Sequence, residues 1–150
     1  MIDHRRAAEH LLELADNGEL DSLMLRHDVG VFVLFGSASR PGPHTPNDLD
    51  LAVIPNSDRF VLLQFCADLA VLLGPCELDV VDLTRSSIVL RAEALVGTPL
   101  YENEPDRYAH AQMRAAGEQM DTAWFRRLDL ELMAASGDTR SSTEHRIFMD

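Results

Sequence analysis

Between Asp3 and Asp16 the apolar residues Ala7, Ala8, Leu11, Leu12, Leu14 and Ala15 recur at helical spacing. That period predicts an amphipathic helix, which Asn17-Gly18 ends. A second short helix is predicted from Glu19 to about His27, with Leu20, Leu23 and Met24 inward. Val29-Gly30-Val31-Phe32-Val33-Leu34-Phe35 follows, a β-branched and aromatic run that is apolar on both faces. It predicts a central strand, buried on both sides. Gly36-Ser37 stops the strand. Residues 38–47 hold Pro41, Gly42, Pro43 and Pro46, which forbid a long helix or a central strand there. From Asp48 carboxylates and apolar residues alternate through Leu51 and lead into Ala52-Val53-Ile54, the period of a further strand. Pro55-Asn56 closes it.

Asp58 is placed to cap a helix running to about Leu73, which Gly74-Pro75 terminates. Glu77 to Leu83 reads as a third strand. Thr84 can cap a helix from Arg85 to Val96, and Thr98 to Glu102 is a short extended piece. Pro105-Asp106 opens a long last helix to about Ala135. Residues 137–150 are polar and read as a loose tail. The expected fold class is α/β (α+β): a small mixed sheet of three or four strands flanked by helices, with a long C-terminal helix. The expected division is a core over 1–104, the helix over 105–135 and a tail over 136–150. The last helix carries Met113, Met120, Trp124, Phe125, Leu128, Leu130, Leu132 and Met133, more apolar surface than one stripe on one domain needs. Either it wraps the domain or it meets a partner.

A length of 150 residues suits one domain. The 13 Lys and Arg against 25 Asp and Glu leave a net charge of −12, which argues against a general nucleic-acid backbone binder. It leaves a nucleotide substrate open, because a metal ion can supply positive charge. No apolar run suggests a membrane span, and the charged, amphipathic N-terminus is not that of a signal peptide. Cys66 and Cys76, ten residues apart, match no zinc or redox motif and read as buried or half-buried thiols in a reducing cytoplasm.

The chemistry concentrates around Gly36-Ser37, the ten residues after it, and Asp48-Leu49-Asp50. Period-two geometry puts Asp48 and Asp50 on one sheet face, where two carboxylates repel unless a cation neutralises them. Oxygen ligands suit Mg²⁺ or Mn²⁺ rather than zinc, and such ions serve phosphoryl chemistry. A third carboxylate is expected on a neighbouring strand. Asp79 is preferred over Asp82, which has the opposite parity and sits at the strand end. The Gly36-Ser37 turn suits phosphate binding, since glycine lets backbone N–H groups approach an anion, and Arg40 adds a fixed positive charge. The six histidines show no metal-ligand spacing and read as surface or loop residues, His44 being placed where it could touch nucleotide. Arg85 and Arg91 read as helix-surface salt-bridge partners rather than phosphate ligands, and Tyr101 and Tyr108 as unsupported candidates for self-modification.

At these residues the chain resembles the nucleotidyltransferase fold of the DNA polymerase β superfamily, and within it the minimal nucleotidyltransferases. Their pattern is a strand, Gly-Ser, about ten residues, Asp-hydrophobic-Asp-hydrophobic, and a later strand with a third Asp. Here these are Val31 to Ser37, Asn47 to Val53 and Leu78 to Val81. Where the family has Ser-x-Ala-Arg-Gly, this chain has Ser37-Ala38-Ser39-Arg40-Pro41-Gly42, so Arg40 keeps its place and Pro41 replaces the glycine. The resemblance, over about residues 5–104, implies transfer of AMP from ATP to a hydroxyl. Asp48, Asp50 and Asp79 would then act as catalytic and Mg²⁺- or Mn²⁺-binding residues, and Gly36, Ser37 and Arg40 as nucleotide-binding residues. It also implies an antitoxin that adds AMP to a tyrosine of a HEPN-domain ribonuclease toxin in the cytoplasm. A homo- or hetero-oligomer, without nucleic acid or membrane, is the expected setting. Two alternatives stay open: a binding module that neutralises its partner by contact, and a small-molecule nucleotidyltransferase of the aminoglycoside type.

Overall fold

The structure is a computed structural model, and it describes residues 4–36, 49–74 and 76–136. Two helices open it, α1 (His4–Asp16) and α2 (Glu19–Arg26), followed by strand β1 (Val29–Phe35). Strand β2 (Leu49–Pro55), helix α3 (Leu62–Leu73) and strand β3 (Leu78–Asp82) come next. A 3₁₀ turn (Leu83–Arg85), helix α4 (Ile88–Ala94), strand β4 (Thr98–Glu102) and helix α5 (Arg107–Ser136) complete it. The predicted tail over 137–150 lies outside the described residues.

Among the described residues the sheet has the order β3-β2-β1-β4. It is mixed: β1 pairs antiparallel with β2 and with β4, while β2 and β3 run parallel. All seven residues of β1 are buried, as an all-apolar central strand requires. The alternation of side chains along β1 and β2 divides the core in two. Phe32, Leu34, Leu49, Leu51 and Val53 face α1, α2 and α3 and pack with Leu11, Leu20, Phe65 and Leu69. Val31, Val33, Phe35 and Ala52 face the other way, onto Leu83, Ala92, Leu95 and Ala115. Phe65 anchors the first layer, fully buried and edge-on to both Phe32 and His27.

The predicted strands are all present, and the extended piece 98–102 is a full strand on the edge beside β1. Three local expectations are corrected. The helix expected from Asp58 begins at Leu62 and has no side-chain cap. The preceding turn is held from elsewhere: Ser57 Oγ donates to Asp28 Oδ2 and Asn56 N donates to the Asp28 carbonyl. Asp28 itself has a φ of 56°, and hydrogen bonding by Ser57, Asn56 and Arg59 holds its carboxyl below the usual range. The helix expected from Arg85 to Val96 is also shorter. Asp82, not Thr84, caps the 3₁₀ turn by accepting from Thr84 N at 2.9 Å, and Ser87 caps α4 by accepting from Leu90 N at 3.1 Å. Finally, His27 is no surface residue: its side chain is 9% exposed, and Nε2 lies 2.7 Å from Asp68 Oδ2. Cys66 and Cys76 are free and half-buried, and burial raises both thiols.

The chain falls into two compact units, Met1–Ala115 and Ala116–Asp150. In the second, Met120, Trp124 and Leu130 are 71%, 56% and 66% exposed.

The His27–Asp68 pair ties the end of α2 to α3 and generates a pH prediction. The hydrogen bond from His27, with its charge and that of Arg26, holds the Asp68 carboxyl below its ordinary value against a desolvation that opposes it. A depressed carboxyl stabilises the fold above the unfolded-state value near 3.9, and that stabilisation is lost as pH falls through the folded value. Asp68→Asn should therefore melt below the wild type at neutral pH, and the gap should close as pH falls below the unfolded-state value near 3.9 and on through the lower folded one. Thermal melts at stepped pH check this; a gap that persists in acid ends it.

Candidate active site

The site is built at one end of the sheet by strand register. Gly36 follows β1 with a φ of 72°, in the left-handed region that favours glycine, and turns the chain sharply. On β2, Asp50 pairs with Phe35 of β1 on one side and with Asp79 of β3 on the other. Residues paired across strands share a face, so both carboxylates leave the sheet on the side of Val33, Ala52 and Val81. Neighbouring strands are about 4.8 Å apart, so the two side chains start side by side. Asp50 is half-buried and Asp79 exposed. They lie beyond the apolar residues of that face, where the second core layer has ended at Phe35.

Asp82, the rival third carboxylate, pairs with Val53 on the opposite face. Its Oδ1 is engaged by Thr84 N and Thr84 Oγ1, at 2.9 and 2.6 Å. It is a cap. Among the described residues no three His, Cys, Asp or Glu side chains cluster as a metal site would require. Asp48, Ser37, Arg40 and His44 lie outside the described residues. The structure thus brings together Gly36, Asp50 and Asp79 of the predicted set.

Arg85 and Arg91 are the two arginines weighed as phosphate ligands. Arg91 is half-buried and uses its guanidinium on backbone: Nε donates to the Leu83 carbonyl at 2.9 Å and Nη2 to the Ser86 carbonyl at 3.2 Å. Arg85 lines a polar cleft with Asn56, Ser57, Phe60, Asp82 and Thr84, at the opposite ends of β2 and β3 from Asp50 and Asp79. Tyr108 donates its hydroxyl to the Leu95 carbonyl, and burial raises its pKa. Sequence reasoning missed the Asp28–Ser57 and Arg107–Asn56 contacts that brace the far end of the sheet, because residues 28 or more positions apart carry no local signal.

A Gly turn after a buried strand, with in-register carboxylates on the next two strands of a mixed sheet, is the arrangement expected of a nucleotidyltransferase. The chain matches the polymerase beta nucleotidyltransferase family over residues 19–106, more than half its length, and belongs to that family. No curated protein matches it. Several solved structures share its fold. A chain of a toxin–antitoxin complex with AMP-PNP is 20% identical with a TM-score of 0.59, covering 78% of this chain and 97% of its own. A chain of the re-refined complex of tri-AMPylated Shewanella oneidensis HEPN toxin with MNT antitoxin is 20% identical, with a TM-score of 0.57 and coverages of 82% and 98%. A chain of the MntA–HepT toxin–antitoxin is 18% identical, with a TM-score of 0.57 and coverages of 81% and 98%. No helix among the described residues is long and apolar enough to cross a membrane.

Asp79 and Asp82 should separate cleanly on mutation. Asp82→Ala removes a cap and should cost about 1 kcal/mol of stability while leaving nucleotidyl transfer largely intact. Asp79→Ala, at an exposed position, should change stability by no more than about 0.5 kcal/mol and abolish transfer. Denaturant melts and a transfer assay on both variants decide the matter; the reverse pattern would exchange their roles.

Proposed function

We propose that this protein is a metal-dependent nucleotidyltransferase that moves AMP from ATP to a tyrosine hydroxyl of a HEPN-type ribonuclease toxin and so acts as its antitoxin. The observation that carries the reading is the in-register pair Asp50–Asp79 beside the Gly36 turn, in a chain of this family. The donor set fits a hard divalent cation: both described members are carboxylates, one half-buried and one exposed. Asp48, Asp50 and Asp79 would hold Mg²⁺ or Mn²⁺, which when bound supplies charge neutralisation for the triphosphate and a more acidic acceptor hydroxyl.

The remaining work falls to the chain's own groups. Gly36 and Ser37 would offer backbone N–H groups and a hydroxyl to the phosphates, and Arg40 would add a fixed charge. Asp79, the more exposed carboxylate, accepts the proton of the acceptor hydroxyl. The acceptor oxygen bonds to the α-phosphorus, the bond to the bridging oxygen breaks, and pyrophosphate leaves with that electron pair. Positioning and charge account for the acceleration. Fold neighbours described as toxin–antitoxin complexes, one with AMP-PNP and one with a tri-AMPylated toxin, support the choice of nucleotide and acceptor. The chain's charge of −12 favours a partner with a basic substrate surface over direct contact with nucleic acid. Its two free thiols suit a reducing cytoplasm. The exposed apolar side chains of α5 supply a surface for the toxin.

Incubation of the protein with labelled ATP, Mg²⁺ and a co-expressed HEPN-type ribonuclease should label tyrosine on the ribonuclease and silence it, and Asp50→Asn should abolish both effects. Silencing without label would make the protein a contact inhibitor instead. Trp124→Ala should weaken co-purification of the two proteins by about 2 kcal/mol, some thirtyfold, with little change in melting temperature. Unchanged co-purification would move the contact off α5.

A further inference from the structure

We infer that Gly36 is a positioning residue for Asp50: the space that a side chain at Gly36 would fill is the seat of the Asp50 carboxylate. The plain expectation for this glycine is a different one, that it lets backbone come close to a phosphate. The geometry points to the carboxylate. A Cβ added at Gly36 would stand 3.1 Å from Asp50 Cγ and 3.2 Å from Asp50 Cβ, and nearer still to Oδ2. All three closest atoms belong to one side chain, and that side chain is a short one whose Cβ is fixed by β2. It cannot swing aside as the end of a lysine would. Its rotation about χ1 would carry the carboxylate out of the seat beside Gly36.

The backbone reinforces the seat. Phe35 and Asp50 are paired residues, so the residue after Phe35 necessarily passes beside the Asp50 side chain. With a φ of 72° Gly36 turns there, and its bare Cα faces the carboxylate. Gly18 provides the contrast within the same chain. It has nearly the same backbone, φ 83°, but the nearest atom to an added Cβ is Asp21 Oδ2 at 3.8 Å, an ordinary contact. A side chain at Gly18 therefore meets only the cost of a left-handed conformation, whereas one at Gly36 meets that cost and displaces Asp50. This inference rests on the reading of Asp50 as a metal ligand, and it makes Gly36 an outer residue that aims a ligand oxygen.

The test compares Gly36→Ala and Gly36→Asn with Gly18→Ala in the full-length protein. Asn tolerates the left-handed region and keeps the Cβ, so it carries the test if Ala folds poorly. Mn²⁺ is titrated without nucleotide, followed by electron paramagnetic resonance, and the Asp50 carboxyl carbon is followed by ¹³C NMR without metal. Both Gly36 variants should bind Mn²⁺ at least about tenfold more weakly and shift the Asp50 resonance, as loss of an outer-shell support does, while Gly18→Ala leaves both unchanged. An unmoved Asp50 resonance with unchanged Mn²⁺ affinity, and only a raised KM for ATP, would overturn the inference in favour of phosphate contact. Failure of both Gly36 variants to fold would also overturn it, making the glycine purely structural. If the wild type takes up no Mn²⁺, the metal reading falls by itself. The Asp50 resonance then decides the seat alone: moved, it upholds the inference; unmoved, it ends it.

Discussion

Register is the constraint on which the rest of this molecule depends. β1 is buried along its whole length, so it has one place to go, the middle of the sheet, with β2 and β4 against it. Slipping β2 by one residue would turn Leu49, Leu51 and Val53 out of the first core layer and drive Asp50 into it. The hydrophobic effect therefore sets the position of the carboxylates without touching them. Each buried branched or aromatic side chain on this face contributes about 1.5–3 kcal/mol, enough together to make any other register inaccessible. Asp79 inherits its place from the same choice, because Leu78 and Val80 pack with the first layer and leave Asp79 on the other face.

The elements that could be read from the chain are those whose signal is a period or a run. Val29 to Phe35 needed no context, and neither did the alternation from Asp48 onward or the parity that separates Asp79 from Asp82. What escaped was capping. Asp58, Asp82, Thr84 and Ser87 are all competent caps by type, and sequence cannot say which carbonyl or amide each will find. Asp82 found Thr84, and Ser57 found Asp28, twenty-nine positions away. His27 escaped for a related reason: its partner Asp68 stands forty-one positions along the chain. The candidate site was legible as residue types at a spacing. That Gly36 and Asp50 occupy adjoining space was not, because it depends on a pairing between strands.

Positive charge is used sparingly and locally. Arg26 reaches Asp68, Arg59 reaches Asp28, Arg91 holds two backbone carbonyls, and Arg107 donates to Asn56 and Asn103. These four guanidinium groups brace turns and helix ends. Under the proposed function, a site of carboxylates in a chain of net charge −12 would repel a triphosphate until a cation is present, so metal and nucleotide uptake would be coupled by electrostatics. That coupling would give a simple order of events, in which loss of the cation also means loss of the nucleotide.

The parallel pairing of β2 with β3 has a consequence for how the molecule comes into being. An antiparallel neighbour can be added by turning back, but a parallel one arrives only after a crossover, here through α3. Asp50 and Asp79 are thus separated by a whole helix of chain whose closure entropy must be met before they meet. During synthesis β1 and β2 can associate early, while β3 must wait for α3 to dock through Phe65 and Leu69. A nascent chain cut short before Leu78 carries Asp50 without Asp79. Assembly of the chemistry is therefore a late event, reached only by chains that have already committed to the correct topology.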